Sequence, residues 1–251
     1  MLVMGILNVT PDSFADGGRH NDFDAALSRG LEMIVEGVDI IDIGGESTRP
    51  GADRVSEEEE IARTIPVITE LAKHGATISI DTMRASTAEA AINAGASIIN
   101  DVSGGLADNA MLQTAARLKV PYIAMHWRGH SKEMNSKAIY GDVVAEVIAE
   151  LNERIAAALE AGIDKDKIII DPGIGFAKDA EHNWAIIDSI EKFVDLGYPV
   201  LVGASRKRFL GGESPDEREQ ATIELTKRLG ATGIWAVRVH SVKPHKEVLS
   251  S

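Results

Sequence analysis

The 251-residue chain has no cysteine, only 4% aromatic residues, and no apolar run near the roughly 20 residues that a membrane-spanning helix needs. Each scarcity excludes a class of protein. Without thiols there is no disulfide framework, no thiolate nucleophile and no zinc–sulfur site. The N-terminus lacks the basic start and cleavage site of a signal peptide, so neither export nor membrane insertion is expected, and the chain reads as cytoplasmic. Basic residues are in deficit too: 26 Lys and Arg stand against 39 Asp and Glu, a formal net charge of −13. That balance argues against nucleic acid or an anionic membrane as partner, while a local basic site for a small anion stays compatible with it. Hydrophobic residues, by contrast, make up 44% of the chain, ample for a large buried core and unlike a disordered sequence.

One pattern repeats from end to end: a short Ile- and Val-rich run, a loop, then a segment with helical spacing. The apolar runs are Leu2–Val9, Asp39–Gly44, Thr77–Thr82, Ser97–Asp101, Pro121–Trp127, Ile168–Pro172, Pro199–Ser205 and Ile234–His240. Helical stretches are expected near 24–37, 56–74, 85–94, 109–119, 142–161, 181–196 and 216–229, with a short eighth helix after the last strand. Within Asp142–Ala161, Val144, Val147, Ile148, Leu151, Ile155 and Leu159 form one apolar stripe. Gly37, Gly75, Gly95, Gly162 and Gly197 stand where helices should end. Eight strand–helix units in a chain of this length predict a single (β/α)8 barrel domain over 1–251 rather than an open doubly wound sheet. Long loops are expected at 10–23 and 128–141. The Glu57–Glu60 run follows a candidate cap, Ser56, and reads as a solvated first turn supported by the helix dipole.

In such a barrel the chemistry gathers at the C-terminal ends of the strands. Those ends carry Asn8, Asp42, Asp81, Asn100 with Asp101, His126, Asp171, Ser205–Lys207, and Arg238 with His240. A single strand-end Asp often only caps a loop, but a full ring of polar groups in one mouth is costly unless something pairs with it, and a polar ligand would do so. Three residues admit a scaffold role as well: Asp42 holding a neighbouring loop, Arg206 in an ion pair, His126 as a satisfied core histidine. Gly173–Ile174–Gly175 lacks the third glycine of a dinucleotide fingerprint. The seven histidines show no metal-ligand spacing. The loops Thr10–Gly18 and Gly44–Gly51 are more informative, the first polar with one aromatic near its tip. The second joins glycines and hydroxyls to an arginine, a composition suited to anionic oxygens.

The run Met4–Phe14 followed by Asp16–Gly18, and then Asp42–Gly51, resemble the two signatures of the dihydropteroate synthases. Further blocks in the same order are Ile80–Thr82, Ile99–Val102, Asp171–Phe176, Gly203–Phe209 and Arg238–His240, and the stretches His126–Arg128 and Ala204–Gly211 are similar to actinobacterial members. The resemblance implies a Mg2+-assisted transferase joining 6-hydroxymethyl-7,8-dihydropterin pyrophosphate to p-aminobenzoate. It places the pterin pocket at Asp81, Asn100, Met125, Asp171, Phe176, Gly203 and Lys207. Pyrophosphate falls to Thr48, Arg49, Arg238 and His240, the metal to Asn8, and p-aminobenzoate to Phe14, Pro50 and backbone N–H groups near Arg208, where a helix is expected to begin. Catalytic roles fall on Asp81, Lys207, Arg238 and His240, and a homodimer is implied. Where the family usually continues Arg-Val-His-Asp, this chain has Ser241, which removes an acidic partner for His240 or Arg238. The alternatives are a pterin-binding methyltransferase barrel, which should lack the Ser47–Arg49 and Ser205–Lys207 blocks, and a non-catalytic paralogue.

Overall fold

The strands are short runs of β-branched residues buried on both faces, as parallel strands covered by helices must be. A computed structural model describes residues 1–10, 18–46, 54–130 and 134–250. Among them eight strands run parallel: β1 (Leu2–Asn8), β2 (Ile40–Gly44), β3 (Ile78–Asp81), β4 (Ile98–Asp101), β5 (Tyr122–Met125), β6 (Ile168–Asp171), β7 (Leu201–Val202) and β8 (Ala236–Val239). Their order is β6-β5-β4-β3-β2-β1-β8-β7, and a parallel bridge between Ile170 and Val200 joins the two ends into a ring. The expected (β/α)8 barrel is therefore the observed fold.

Helices alternate with the strands: α1 (Gly18–Val35), α2 (Glu57–Lys73), α3 (Ala85–Asn93), α4 (Met111–Leu118), α5 (Val143–Glu160), α6 (Ala180–Asp188), α7 (Ile190–Val194), α8 (Glu217–Leu229) and α9 (Lys243–Ser250). The starts of α2 and α5 are specified locally. The Ser56 hydroxyl accepts the Glu59 N–H at 3.2 Å, and the Asp142 carboxylate accepts those of Val144 and Ala145. Four boundaries differ from expectation. The first helix begins at Gly18, which shortens the expected loop 10–23. The stretch 181–196 is two helices, because Ser189 leaves helical geometry at φ −112° and ψ 19°. The strand expected over Pro199–Ser205 is reduced to Leu201 and Val202, with a single bridge at Val200. Loop 128–141 contains a 3-10 turn, Met134–Lys137.

Pleat parity separates the residues inside the barrel from those outside. Ile40, Asp42 and Gly44 share one face of β2, and register carries that face round the ring: Met4 lies beside both Ile40 and Arg238, Ser79 beside Asp42, Asp81 beside Gly44, Asn100 beside Asp81, and Asp171 beside Met125. The lower inward layer is apolar and buried: Met4, Ile40, Ile98, Ile123, Ile169, Leu201 and Ala236. One pleat further along, the same face becomes polar on five strands, at Asp42, Asp81, Asn100, Asp171 and Arg238. The outward faces pack against the helices in the larger core, with Phe193, Tyr122, Ile68 and Leu71 fully buried.

Candidate active site

Arg238 is the centre of the inward polar layer. Its Nε donates to Asp42 Oδ2 at 2.5 Å and one terminal nitrogen to Asp81 Oδ2 at 2.6 Å. Burial works against the Arg238 charge, but Asp42 and Asp81 more than restore it, so its pKa lies above the usual arginine value. Asn100 donates its amide to the same Asp42 oxygen at 3.1 Å. Among the described residues Asp42 thus secures the mouth's own polar side chains. Its other carboxylate oxygen is buried and has no hydrogen-bond partner among the described residues, and the same holds for the Ser79 hydroxyl. Burial pushes the Asp81 carboxyl up, against the pull of Arg238.

Asp171 completes the carboxylate set from β6. One oxygen accepts the Gly173 N–H at 2.7 Å, while burial pushes its pKa up against that hydrogen bond and the Lys207 charge. The chain then turns sharply through Gly173 (φ 68°), Gly175 (φ 79°) and Ala177 (φ 47°). A side chain at Gly173 would stand 2.4 Å from the His126 carbonyl oxygen, so only glycine fits. The turn presents Phe176, whose ring lies 4.7 Å from the Lys207 ammonium. Lys207 also donates to the Ile174 carbonyl. Burial lowers its pKa to about 8, with Asp171 pulling the other way. Gly203 lies against Arg238 and Asp171, and Met125 is buried beside Asp171 in register.

The remaining expected residues divide. His240 Nδ1 pairs with the Ser205 hydroxyl at 2.9 Å. Asn8 ends β1 beside Gly44, and no described residue engages its side chain. Arg208 is exposed and opens only a three-residue 3-10 helix, Arg208–Leu210, so the helix expected there is absent and α8 starts at Glu217. Phe14, Thr48, Arg49 and Pro50 lie outside the described residues.

Three strand-end residues serve the scaffold: Arg206 and His126 take the scaffold roles left open to them by the sequence, and Asp101 joins them. Asp101 and His126 sit on the outward pleat. Asp101 accepts from Ser103, Gly105 and the Tyr122 hydroxyl, and His126 pairs with Glu150 at 2.9 Å. Arg206, held at φ 57°, pairs with Glu219 at 2.5 Å and with Ser241 Oγ at 2.8 Å. Ser241 therefore partners Arg206 and neither His240 nor Arg238. The Glu57–Glu60 run is likewise only partly solvated. Glu60 is buried and accepts from Thr82 Oγ1 at 2.6 Å, from Arg84 and from Thr87. Arg84 also reaches Glu46 at 2.9 Å and the Val55 carbonyl at 2.6 Å.

Sequence reasoning passed over Lys178. Its ammonium is enclosed by His126 Nδ1 at 2.8 Å and the carbonyls of Gly173 and Phe176 at 3.1 Å each. Its signal in the sequence is slight: a lysine two residues past an aromatic in a glycine turn.

An inward ring of carboxylates, amide and cations at the C-terminal mouth of a (β/α)8 barrel defines a polar small-molecule enzyme site. The pterin binding enzyme family matches residues 4–240. The chain is 48% identical over 257 residues to the dihydropteroate synthase of Mycobacterium leprae, covering 98% of this chain and 90% of that one. It is 51% identical over 247 residues to the Bacillus subtilis enzyme of the same name, covering 96% and 84%. A structure of the Xanthomonas albilineans dihydropteroate synthase with 4-aminobenzoic acid superposes with a TM-score of 0.93 at 43% identity, over 99% of this chain and 90% of that one. The chain belongs to the dihydropteroate synthase family of pterin-binding enzymes, and is a transferase of that kind.

Proposed function

We propose that the barrel mouth joins 6-hydroxymethyl-7,8-dihydropterin pyrophosphate to p-aminobenzoate, releasing 7,8-dihydropteroate and pyrophosphate. One observation carries the substrate reading: Asp81, Asn100, Asp171 and Arg238 come from four different strands yet share the inward pleat near the strands' C-terminal ends. A pterin edge presents adjacent N–H donors and acceptors in one plane, and Asp81, Asn100 and Asp171 match it, with Met125, Phe176 and Gly203 lining the pocket and Lys207 at its side. Leaving such buried groups unpaired is costly, which gives selectivity. The Xanthomonas albilineans enzyme, 43% identical, binds 4-aminobenzoic acid, and here that substrate falls to Arg208 together with Phe14 and Pro50.

Pyrophosphate falls to Arg238 and His240, with Thr48 and Arg49. Among the described residues no cluster of three or more acidic, histidine or cysteine side chains is arranged to hold a metal. A Mg2+ ion bound mostly through substrate oxygens and water needs only one or two protein oxygens, and the unengaged Asn8 side chain offers one. The chain's residues therefore fit Mg2+ as a partner of bound pyrophosphate. When bound it supplies charge neutralisation on the leaving group.

An arylamine is a weak nucleophile, so departure of pyrophosphate leads in a dissociative route. Arg238 and His240 hold the leaving group while Asp81 stabilises positive charge on the pterin methylene. The family further implies a homodimer. No helix of the described residues is long and apolar enough to cross a membrane; the likeness to biosynthetic enzymes supports a cytoplasmic location, and the one closed barrel supports a single domain. A continuous assay of pyrophosphate release tests the reading: release with both substrates and Mg2+ is expected, with loss on chelation and no change in the melting temperature of the free protein. Absence of p-aminobenzoate-dependent dihydropteroate would overturn it. Retained activity after chelation would remove the metal.

A further inference from the structure

Lys178 lies outside the barrel's inward layer, yet three elements of the site meet on its ammonium. Its Nζ stands 2.8 Å from His126 Nδ1 and 3.1 Å from each of the Gly173 and Phe176 carbonyl oxygens. The other His126 nitrogen, Nε2, faces the Glu150 carboxylate at 2.9 Å. Glu150 has its pKa held down to about 2, His126 first among the causes, so it is ionised. Nε2 must then carry the ring proton, and Nδ1 presents a lone pair. Burial lowers the His126 pKa to about 4, which agrees with a neutral ring. Below about pH 7, where Lys178 is protonated, Nζ is therefore the donor in all three contacts, and an ammonium has three N–H bonds to give.

The turn that these contacts close needs such support. It passes through left-handed backbone at Gly173, Gly175 and the non-glycine Ala177. Conformations of that kind persist only where surrounding groups over-determine them. Asn183 takes the Gly175 N–H at 2.6 Å and Tyr140 donates to the Ala177 carbonyl at 2.9 Å. Among the described residues Lys178 alone ties the two ends, Gly173 and Phe176, to a third element. Gly173 N–H in turn fixes Asp171, and Phe176 forms the ring face beneath Lys207.

We infer that Lys178 is a positioning residue of the pterin pocket, its buried ammonium clamping the Gly173–Phe176 turn onto neutral His126 so that Asp171 and Phe176 meet the pterin in fixed places. The charge has a second effect. Asp171 faces Lys207, Arg238 and Lys178, all of which favour its ionised form against burial. Lys178 itself faces Asp171, Lys207, Arg128, Glu150 and His126, and burial lowers its pKa to about 7. Removing Lys178 thus loosens the turn and makes Asp171 easier to protonate. This role rests on the assignment of Asp171 to the pterin.

The test is calorimetric titration of the full chain with 6-hydroxymethyl-7,8-dihydropterin pyrophosphate from pH 5 to 8, for the wild type and four variants. Lys178→Met should weaken binding by about tenfold, since it leaves two carbonyls without their charged donor. It should also move the acidic midpoint of binding upward, because Asp171 has lost a favourable charge. His126→Phe removes the third acceptor and should weaken binding in the same direction, while His126→Asn, which keeps an acceptor near Nδ1, should retain most of the affinity. A residue that only supports folding would lower the melting temperature or the binding stoichiometry and leave the midpoint in place. If Lys178→Met does not fold, the two His126 variants decide. The role is overturned if Lys178→Met, or in its absence His126→Phe, keeps wild-type affinity and midpoint while Asp171→Asn loses affinity. A wild type that does not bind this pterin, or an Asp171→Asn that binds it unchanged, overturns the pterin assignment as well.

Discussion

Replacing Lys207 with Met should leave the protein as stable as before, or slightly more so, while removing most of its turnover. The side chain is unbranched in both residues, so the packing of the stem against Gly175 and Phe176 is preserved. What changes is the charge. Burial lowers the Lys207 pKa from 10.5 to about 8, and at about 1.4 kcal/mol per pH unit, keeping the ammonium at neutral pH costs about 3 kcal/mol. Against this, Lys207→Met gives up the bond to the Ile174 carbonyl and the contact with the Phe176 ring, roughly 1 kcal/mol each. The net expectation is a gain between zero and about 2 kcal/mol, or a few degrees in melting temperature for a chain of this size. The sign with pH follows from linkage. The folded pKa lies below the unfolded one, so between about 8 and 10.5 the unfolded chain binds more protons and the wild type gains stability as pH rises. The variant's advantage should be complete below about pH 8 and vanish toward 10.5. Scanning calorimetry at pH 7, 8 and 9.5, beside pyrophosphate-release kinetics, checks both halves. A variant that loses more than about 2 kcal/mol at pH 7 and still turns over would show that Lys207 serves the scaffold. An advantage that widened with pH would refute the charge argument.

Two further substitutions probe the frame of the site. Gly173→Ala places a methyl group 2.4 Å from the His126 carbonyl oxygen at φ 68° and should cost more than about 3 kcal/mol. Gly197→Ala, at φ 77° with nothing within 4 Å, should cost only about 1 kcal/mol; equal urea midpoints for the two would contradict the steric reasoning. Arg84→Met leaves buried Glu60 without its cation and should destabilise the chain by about 3 kcal/mol or more, with much of the loss recovered on adding Glu60→Gln. A double-mutant cycle without coupling would show that Thr82 and Thr87 suffice for Glu60.

Much of this was legible in the sequence, and the failures have local causes. All eight strands fall within the expected runs, because buried parallel strands leave unbroken Ile–Val stretches bounded by glycines. The same period could have gone further. Counting in twos from Asp81, Asn100 and Met125 puts Asp101 and His126 on the opposite pleat, so the alternation of a strand is enough to remove both from the mouth. Glu60 was legible too: it precedes Thr64, Val67, Ile68 and Leu71 on the buried face of α2, so helical spacing assigns it to the core, although it closes a run of solvated glutamates. Other pairings were not legible. Arg206 meets Ser241 across 35 positions, and Lys178 meets His126 across 52. No local pattern encodes contacts that exist only once the barrel has closed.

The net charge of −13 describes the exterior and not the mouth. In the inward layer Asp42, Asp81 and Asp171 face Arg238 and Lys207, and each carboxylate already holds a partner or a nearby cation in the free protein. The site is thus near neutrality and ordered ahead of substrate binding. A guanidinium has five N–H bonds, and the Asp42 and Asp81 contacts engage two of those of Arg238. The remaining three are left for an anion without breaking the pair that fixes the side chain. An arginine anchored in this way would meet an anionic leaving group with little left to reorganise, the condition under which a fixed charge acts most effectively on a departing one.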